Sequence, residues 1–308
     1  MKRKLYRYPL YLGLRLVQLT ALWLPREAAM ALARMIGRLA FWAARREREK
    51  TIAHLANAFE NEKPPREILK LAEGVFIHYA QVAVDVLRFP RLGREEVDRL
   101  VEWDPASLSI FDQVLAEGKG AILLTAHLGN WELMGAFIML HGLPGAVVAR
   151  RIYYEKFNRL LVDLRSNVRL KTIYQDAPVK EFLKILNQNH ILGILADQDV
   201  DRLDGIFVPF FGRPAYTLTS PVKFALATGA PLVPAFLVKK NGRYRLLVEE
   251  PIYVKMGINK EETIREYTER WSQVVEAKIR EFPDQWAWMH RRWKTAERRE
   301  AEQTVLHG

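Results

Sequence analysis

The sequence predicts an α/β protein: a mostly parallel, mixed sheet flanked by helices, preceded by an N-terminal hydrophobic helical anchor. Three observations carry this. Short apolar runs alternate with stretches of helical period through the middle of the chain. Asn241-Gly242 separates two later strand-like runs, which signals a hairpin and makes the sheet mixed. The first 44 residues hold two apolar stretches bounded by basic residues.

Taken in order, Pro9 to Leu24 carries one charge, Arg15. As a helix it would be ~24 Å long, short of the roughly 30 Å hydrocarbon layer of a bilayer. Ala28 to Ala44 is apolar apart from Arg34 and Arg38, which share one helix face. Lys2-Arg3-Lys4 precedes the pair and Arg45-Arg46-Glu47-Arg48 follows it, so both ends are expected on the cytoplasmic side. Tyr6, Tyr8, Tyr11 and Trp23 fit interface anchors. Residues 1–44 are therefore expected to anchor the protein, embedded or interfacial, and residues 45–308 to form one domain. The competing reading is two ordinary helices packed on the body.

Pro64-Pro65 opens a helix over 64–88, where Ile68, Leu71, Val75 and Phe76 recur at helical spacing. Four buried strands are expected at Gly120–Ala126, Ala146–Ala149, Leu170–Tyr174 and Ile191–Ala196, with a helix at Val179–Asn187. Pro231–Val238 and Tyr244–Val248 form the hairpin. Glu261–Arg280 is a late helix, ended by Phe282-Pro283.

Composition narrows the chemistry. The chain of 308 residues has no cysteine, which excludes disulfides, thiolate metal sites and a Cys nucleophile. Its net charge of +11 favours an anionic partner. No zinc-finger, RNA-binding or basic-zipper signature is present, so nucleic acid is not expected. GxSxG, P-loop, GxGxxG and HExxH motifs are also missing.

The candidate chemistry lies where ligands bind in parallel sheets, beyond a strand's carboxyl end. His127 follows the run ending at Ala126. Gly129 permits a sharp turn and Asn130 is a plausible helix N-cap, which puts Glu132 in the first helical turn. A carboxylate there could fold back on the imidazole and orient it as a general base. Against this stands a histidine merely satisfied at a strand end. Asp197, Asp199, Asp201 and Asp204 hint at a metal loop. The calcium pattern fails, because position six is Arg202 and position twelve is Val208. Phe207, Phe210 and Phe211 are candidates for lining an acyl groove or, as is commoner for aromatics at such spacing, for the core. Trp286, Trp288 and Trp293, set among Arg291, Arg292 and Lys294, read as an interfacial strip, a packed C-terminal lid, or both.

Four segments together resemble one family. They are Ala126-His-Leu-Gly-Asn-Trp-Glu132, Ala196-Asp-Gln-Asp199, Phe207-Val-Pro-Phe-Phe-Gly-Arg-Pro214 and Pro283-Asp-Gln-Trp-Ala-Trp-Met-His-Arg-Arg-Trp-Lys294. In that order they are similar to the bacterial lipid A late acyltransferases, the lauroyl and myristoyl transferases of lipopolysaccharide assembly. The resemblance implies His127 as general base with Glu132 as its partner. Asn130 is expected at the substrate, and the resemblance implies phosphate or oxyanion contact from Arg165 or Arg169, each of which could equally belong to a solvated basic turn. Asp197 and Asp199, at a strand end, read as an acceptor-side substrate loop or as structural hydrogen-bonding groups. The resemblance implies neither metal nor cofactor. The expected donor is acyl carrier protein, with acyl-CoA as an alternative. The expected acceptor is a phosphorylated, acylated disaccharide, and the expected location the cytoplasmic face of the bacterial inner membrane. A mannosylated phosphoinositide or a lysophospholipid is an alternative acceptor. A non-catalytic lipid-binding protein is the alternative of another class.

Overall fold

In the computed structural model, residues 7–60 and 62–307 are described. Lys2-Arg3-Lys4 and Tyr6 of the expected anchor lie outside them. Helices α1 (Arg7–Trp23), α2 (Arg26–Ala43), α3 (Arg45–Ala58) and α4 (Pro65–Leu87) come first, then α5 (Arg94–Leu100), β1 (Val101–Glu102) and α6 (Pro105–Ala116). The alternating region is β2 (Ala121–Thr125), α7 (Trp131–Leu140), β3 (Gly145–Ala149), α8 (Glu155–Asn167), β4 (Lys171–Tyr174), α9 (Val179–Asn187) and β5 (Ile191–Leu195). The chain ends with β6 (Gly205–Phe210), β7 (Arg213–Leu218), α10 (Ser220–Thr228), β8 (Leu232–Lys240), β9 (Arg243–Val248), α11 (Lys260–Glu281) and α12 (Lys294–His307).

Seven strands form one sheet in the order β1-β9-β8-β2-β5-β3-β4, and β6-β7 is a separate antiparallel hairpin. Among the described residues, only β8 and β9 pair antiparallel within the large sheet. Their loop is Asn241-Gly242, with Lys240 opposite Arg243 and positive φ at both loop residues, 52° and 84°. That is the geometry a two-residue hairpin needs to follow the strand twist. β2 is buried along its whole length. Ile122 and Leu124 join the core on one face, and Leu123 joins the core on the other. The predicted sheet and its flanking helices are therefore present.

The N-terminal helices pack on α4. Helix α2 buries Ala29, Met30, Ala33, Gly37 and Phe41. A Cβ on Gly37 would stand 2.6 Å from the backbone of Ile77, so the two helices touch where only glycine fits. Helix α1 buries just Gln18 and Ala21. Leu10, Leu12, Leu16, Leu19 and Trp23 of α1 stay exposed, as do Met35, Ile36, Leu39 and Trp42 of α2. Among the described residues no helix is long and apolar enough to cross a membrane. The segment is thus a pair of short helices, one face against the body and the other apolar and bare.

Two aromatic readings are overturned. Trp286, Trp288 and Trp293 are at most 1% exposed and belong to the core, not to an interfacial strip. The β6–β7 hairpin accounts for this: Phe210 packs on Trp286 and Trp293, and Phe211 on Trp288. Arg292 is buried with them and donates to Tyr216 O and Thr217 Oγ1. Phe210 and Phe211 are consequently core residues rather than an acyl groove. Phe207 packs on Tyr216 and under Arg299.

Candidate active site

Strands β2 and β5 are parallel neighbours, with Thr125 opposite Leu195. Their carboxyl ends therefore deliver His127 and Asp197 side by side. Asp197 Oδ1 accepts from His127 Nδ1 at 2.9 Å. Its Oδ2 accepts from the His127 backbone N–H at 2.9 Å and from Trp286 Nε1 at 2.8 Å. Burial pushes the Asp197 carboxyl up, but the adjacent His127 charge, the bond to its ring, the Trp286 indole and the His127 amide outweigh that. Together they hold it at about 2. The carboxylate is ionised, fixes the Nδ1–H tautomer, and leaves the Nε2 lone pair as the basic one.

The turn after β2 is clamped from several sides. Gly129 has φ +62°, and a Cβ there would lie 2.0 Å from Leu237 O. Its N–H donates to Gln285 O, and that of Asn130 to Leu237 O. The His127 carbonyl accepts from Tyr79 Oη at 2.7 Å and from Ala287 N at 3.1 Å. His78 Nε2 donates to Gly129 O at 3.0 Å; burial holds that ring down to about 4, hence neutral. Backbone from β8 and the 283–288 segment, with side chains from α4, thus fixes where His127 stands.

Asn130 is the N-cap expected: its Oδ1 accepts from Leu133 N at 3.0 Å. Its Nδ2 donates to Asp85 Oδ2 and Tyr244 Oη, and the residue is fully buried. These bonds occupy it, so the expected substrate contact is not made available. Glu132 is in the first helical turn as expected, but it does not orient His127. Its carboxylate accepts from Arg165 Nε at 2.9 Å and from Arg165 Nη2. The reason is twofold: His127 Nδ1 is already bound to Asp197, and a guanidinium offers a carboxylate two parallel donors where an imidazole offers one.

That pair also separates Arg165 from Arg169. Arg165 is buried and lines the cavity described below. Arg169 is exposed, with φ +61° beyond the end of α8. Asp199 accepts from Thr295 N at 2.8 Å and Thr295 Oγ1 at 2.6 Å, so it ties down the start of α12 instead of facing a substrate. Asp201 pairs with Lys294 and Arg298, and Asp204 with Lys223. Among the described residues no cluster of three metal-ligating side chains occurs.

His127 opens into a cavity of about 720 Å³. Val148, Leu161, Phe182, Leu183, Ile194 and Phe224 give it apolar walls; Glu132, Arg165, Gln198 and His290 are polar residues in its lining. Apolar walls with a few placed polar groups suit a long hydrocarbon ligand with one reactive end. Gln198 and His290 were not singled out from the sequence as site residues. Both sit inside quoted segments, yet nothing in their spacing places them beside His127. A base that lines a largely apolar cavity can take a proton from a hydroxyl held there.

Comparison with known proteins came to the same region of chemistry. A family model described as bacterial lipid A biosynthesis acyltransferase matches residues 2–295. A phosphatidylinositol mannoside acyltransferase of Mycobacterium tuberculosis (strain CDC 1551 / Oshkosh) is 28% identical over 160 residues, covering 51% of this chain and 50% of that one. The match thus spans about half the length of that relative. The lipid A biosynthesis lauroyltransferase of Escherichia coli (strain K12) is 29% identical over 208 residues, 64% of each chain. A lipid A biosynthesis acyltransferase of Haemophilus influenzae is 23% identical over 269 residues, 83% of this chain and 79% of that one. The crystal structure of the 1-acyl-sn-glycerophosphate acyltransferase of Thermotoga maritima aligns with TM-score 0.36 and 16% identity, over 85% of this chain and 98% of that one.

Proposed function

The chain belongs to the bacterial lipid A biosynthesis acyltransferase family, and from that premise we propose that it moves a fatty acyl chain from an acyl thioester to a hydroxyl of a lipid A precursor. The observation that carries the proposal is the His127–Asp197 pair, whose histidine lines the largely apolar cavity. The acyl chain lies along the apolar walls with its thioester at His127. The acceptor hydroxyl attacks the thioester carbon while His127 Nε2 takes its proton. Asp197 stabilises the imidazolium so formed. Collapse of the tetrahedral species breaks the C–S bond, and the thiolate recovers the proton from His127. No covalent enzyme intermediate is required. Glu132 and Arg165 act as one unit, holding α7 to α8 along the cavity wall.

The proposed donor is acyl carrier protein, and the proposed acceptor a phosphorylated disaccharide lipid bearing a free hydroxyacyl chain. The net charge of +11 suits both. The bare apolar faces of α1 and α2, together with Arg15, Arg34 and Arg38, support an interfacial seat on the cytoplasmic face of the inner membrane.

A second acceptor, a mannosylated phosphoinositide, is favoured by the similarity to the mycobacterial relative. The test offers purified protein each acceptor with labelled acyl carrier and acyl-CoA donors, and reads the lipid product by mass spectrometry. Acylation of the mannosylated lipid alone would replace the lipid A reading. No product from any thioester, with wild-type protein folded, would remove acyl transfer altogether.

A further inference from the structure

Gln198 follows Asp197 and stands between two histidines. Its Nε2 is 3.1 Å from His127 Nε2 and 3.2 Å from His127 Nδ1. An atom nearly equidistant from both ring nitrogens lies off the lone-pair axis of each. The basic lone pair of His127 is therefore left open to an incoming hydroxyl. The same amide nitrogen is 3.0 Å from His290 Nε2, and the two imidazole centroids are 5.6 Å apart. Gln198 and His290 both line the cavity.

On the acyl-transfer reading, we infer that Gln198 is a catalytic residue whose amide N–H holds the oxyanion of the tetrahedral species, and that His290 positions that amide. The attacking oxygen must sit within hydrogen-bond reach of His127 Nε2, and the thioester oxygen is two bonds further on. A donor 3.1 Å from that nitrogen falls within the reach of the thioester oxygen. The electrons are accounted for: the new C–O bond drives the C=O pair onto oxygen, where the amide receives it, and the pair returns as the C–S bond breaks. His290 does its part as an acceptor. Burial, and then the charge on His127, pull its ring below the ordinary imidazole range, so it offers a lone pair to Gln198 near neutral pH. That bond selects which end of the amide faces His127. Reversed, the amide would aim an oxygen at a developing oxyanion.

The test uses the full chain with dodecanoyl acyl carrier protein or dodecanoyl-CoA, whichever the wild type turns over, and the acceptor it acylates. Gln198→Ala is expected to lower kcat about a hundredfold, with KM changed less than about threefold. Gln198→Glu should fall further, since it brings negative charge to the same place. His290→Phe should lower kcat in a Gln198 background but have little added effect on Gln198→Ala, and His290→Gln, which keeps an acceptor, should restore part of the loss. Gln198→Ala with a wild-type kcat would overturn the inference, as would full additivity of Gln198→Ala and His290→Phe. If the wild type works, His127→Ala is inactive and Gln198→Ala is normal, only this inference falls. If the folded wild type transfers from no thioester, the acyl-transfer reading falls and this one with it.

Discussion

Both oxygens of Glu132 are taken by Arg165, whose Nε lies 2.9 Å from Oε2 and whose Nη2 meets Oε1. The two side chains are each 9% exposed. Removing one partner leaves the other charged and buried, which costs about 3–5 kcal/mol. Glu132→Gln and Arg165→Met should each lose that much in urea denaturation and lose most activity. The double variant should lose less than the sum of the two. Strict additivity in the cycle would show that they do not act as a unit.

Asp197→Asn keeps the shape beside His127 but cannot stabilise an imidazolium. A kcat lower by about two to four orders of magnitude is expected, with KM little altered. Steady-state kinetics across a range of acceptor concentrations read this directly. A kcat within tenfold of wild type would remove Asp197 from the proton path.

Acid stability follows from the same carboxyl. Its pKa is depressed on folding, from 3.8 to about 2. A depressed carboxyl stabilises fully above its unfolded value and loses that contribution as pH falls through the folded one. About 2 kcal/mol is therefore lost between roughly pH 4 and pH 2. Denaturation midpoints of wild type and Asp197→Asn should converge through that window. Parallel curves would contradict the assignment.

Gly129→Ala must place a methyl 2.0 Å from Leu237 O at φ +62°. The β8 contact cannot yield without moving His127, so a loss above ~4 kcal/mol is expected, with little folded protein recovered. Gly13 of α1 is the control, since a Cβ there meets nothing within 4 Å. Gly13→Ala should raise stability by up to ~1 kcal/mol in thermal melts.

Leu16→Asp with Leu39→Asp places charge on the bare faces of α1 and α2 at exposed positions. Flotation with anionic vesicles should fall at least tenfold while the melting temperature holds. Undiminished flotation would move the membrane contact elsewhere on the surface.

The periodic parts of this fold were legible because their patterns are local. Ile122 to Ala126 announces a buried strand, and Asn241-Gly242 a tight hairpin. His127, Gly129 and Asn130 were found by position along the chain and keep their local roles. His127 and Asp197 both stand out in the sequence, but their pairing does not, because the two are 70 residues apart and meet only through the β2–β5 pairing. The true partner of Glu132 is hidden for the same reason: Arg165, which takes its carboxylate, comes from another helix. The tryptophans of 286–293 carried the composition of an interface, but the β6–β7 hairpin buried them. Helix α3 was missed because its exposed side is densely charged, which masks the spacing of Thr51, His54, Leu55 and Ala58.

Leu128 bridges to Trp286, and Ala287 binds the His127 carbonyl. A ribosome that has just released His127 has still to make the segment that backs it. Until residues 283–288 leave the exit tunnel, the growing chain holds the base but not its seat, and Asp197 lacks the Trp286 indole. Residues 283–288 thus belong to the seat of His127, and cleavage that removes them is expected to abolish activity.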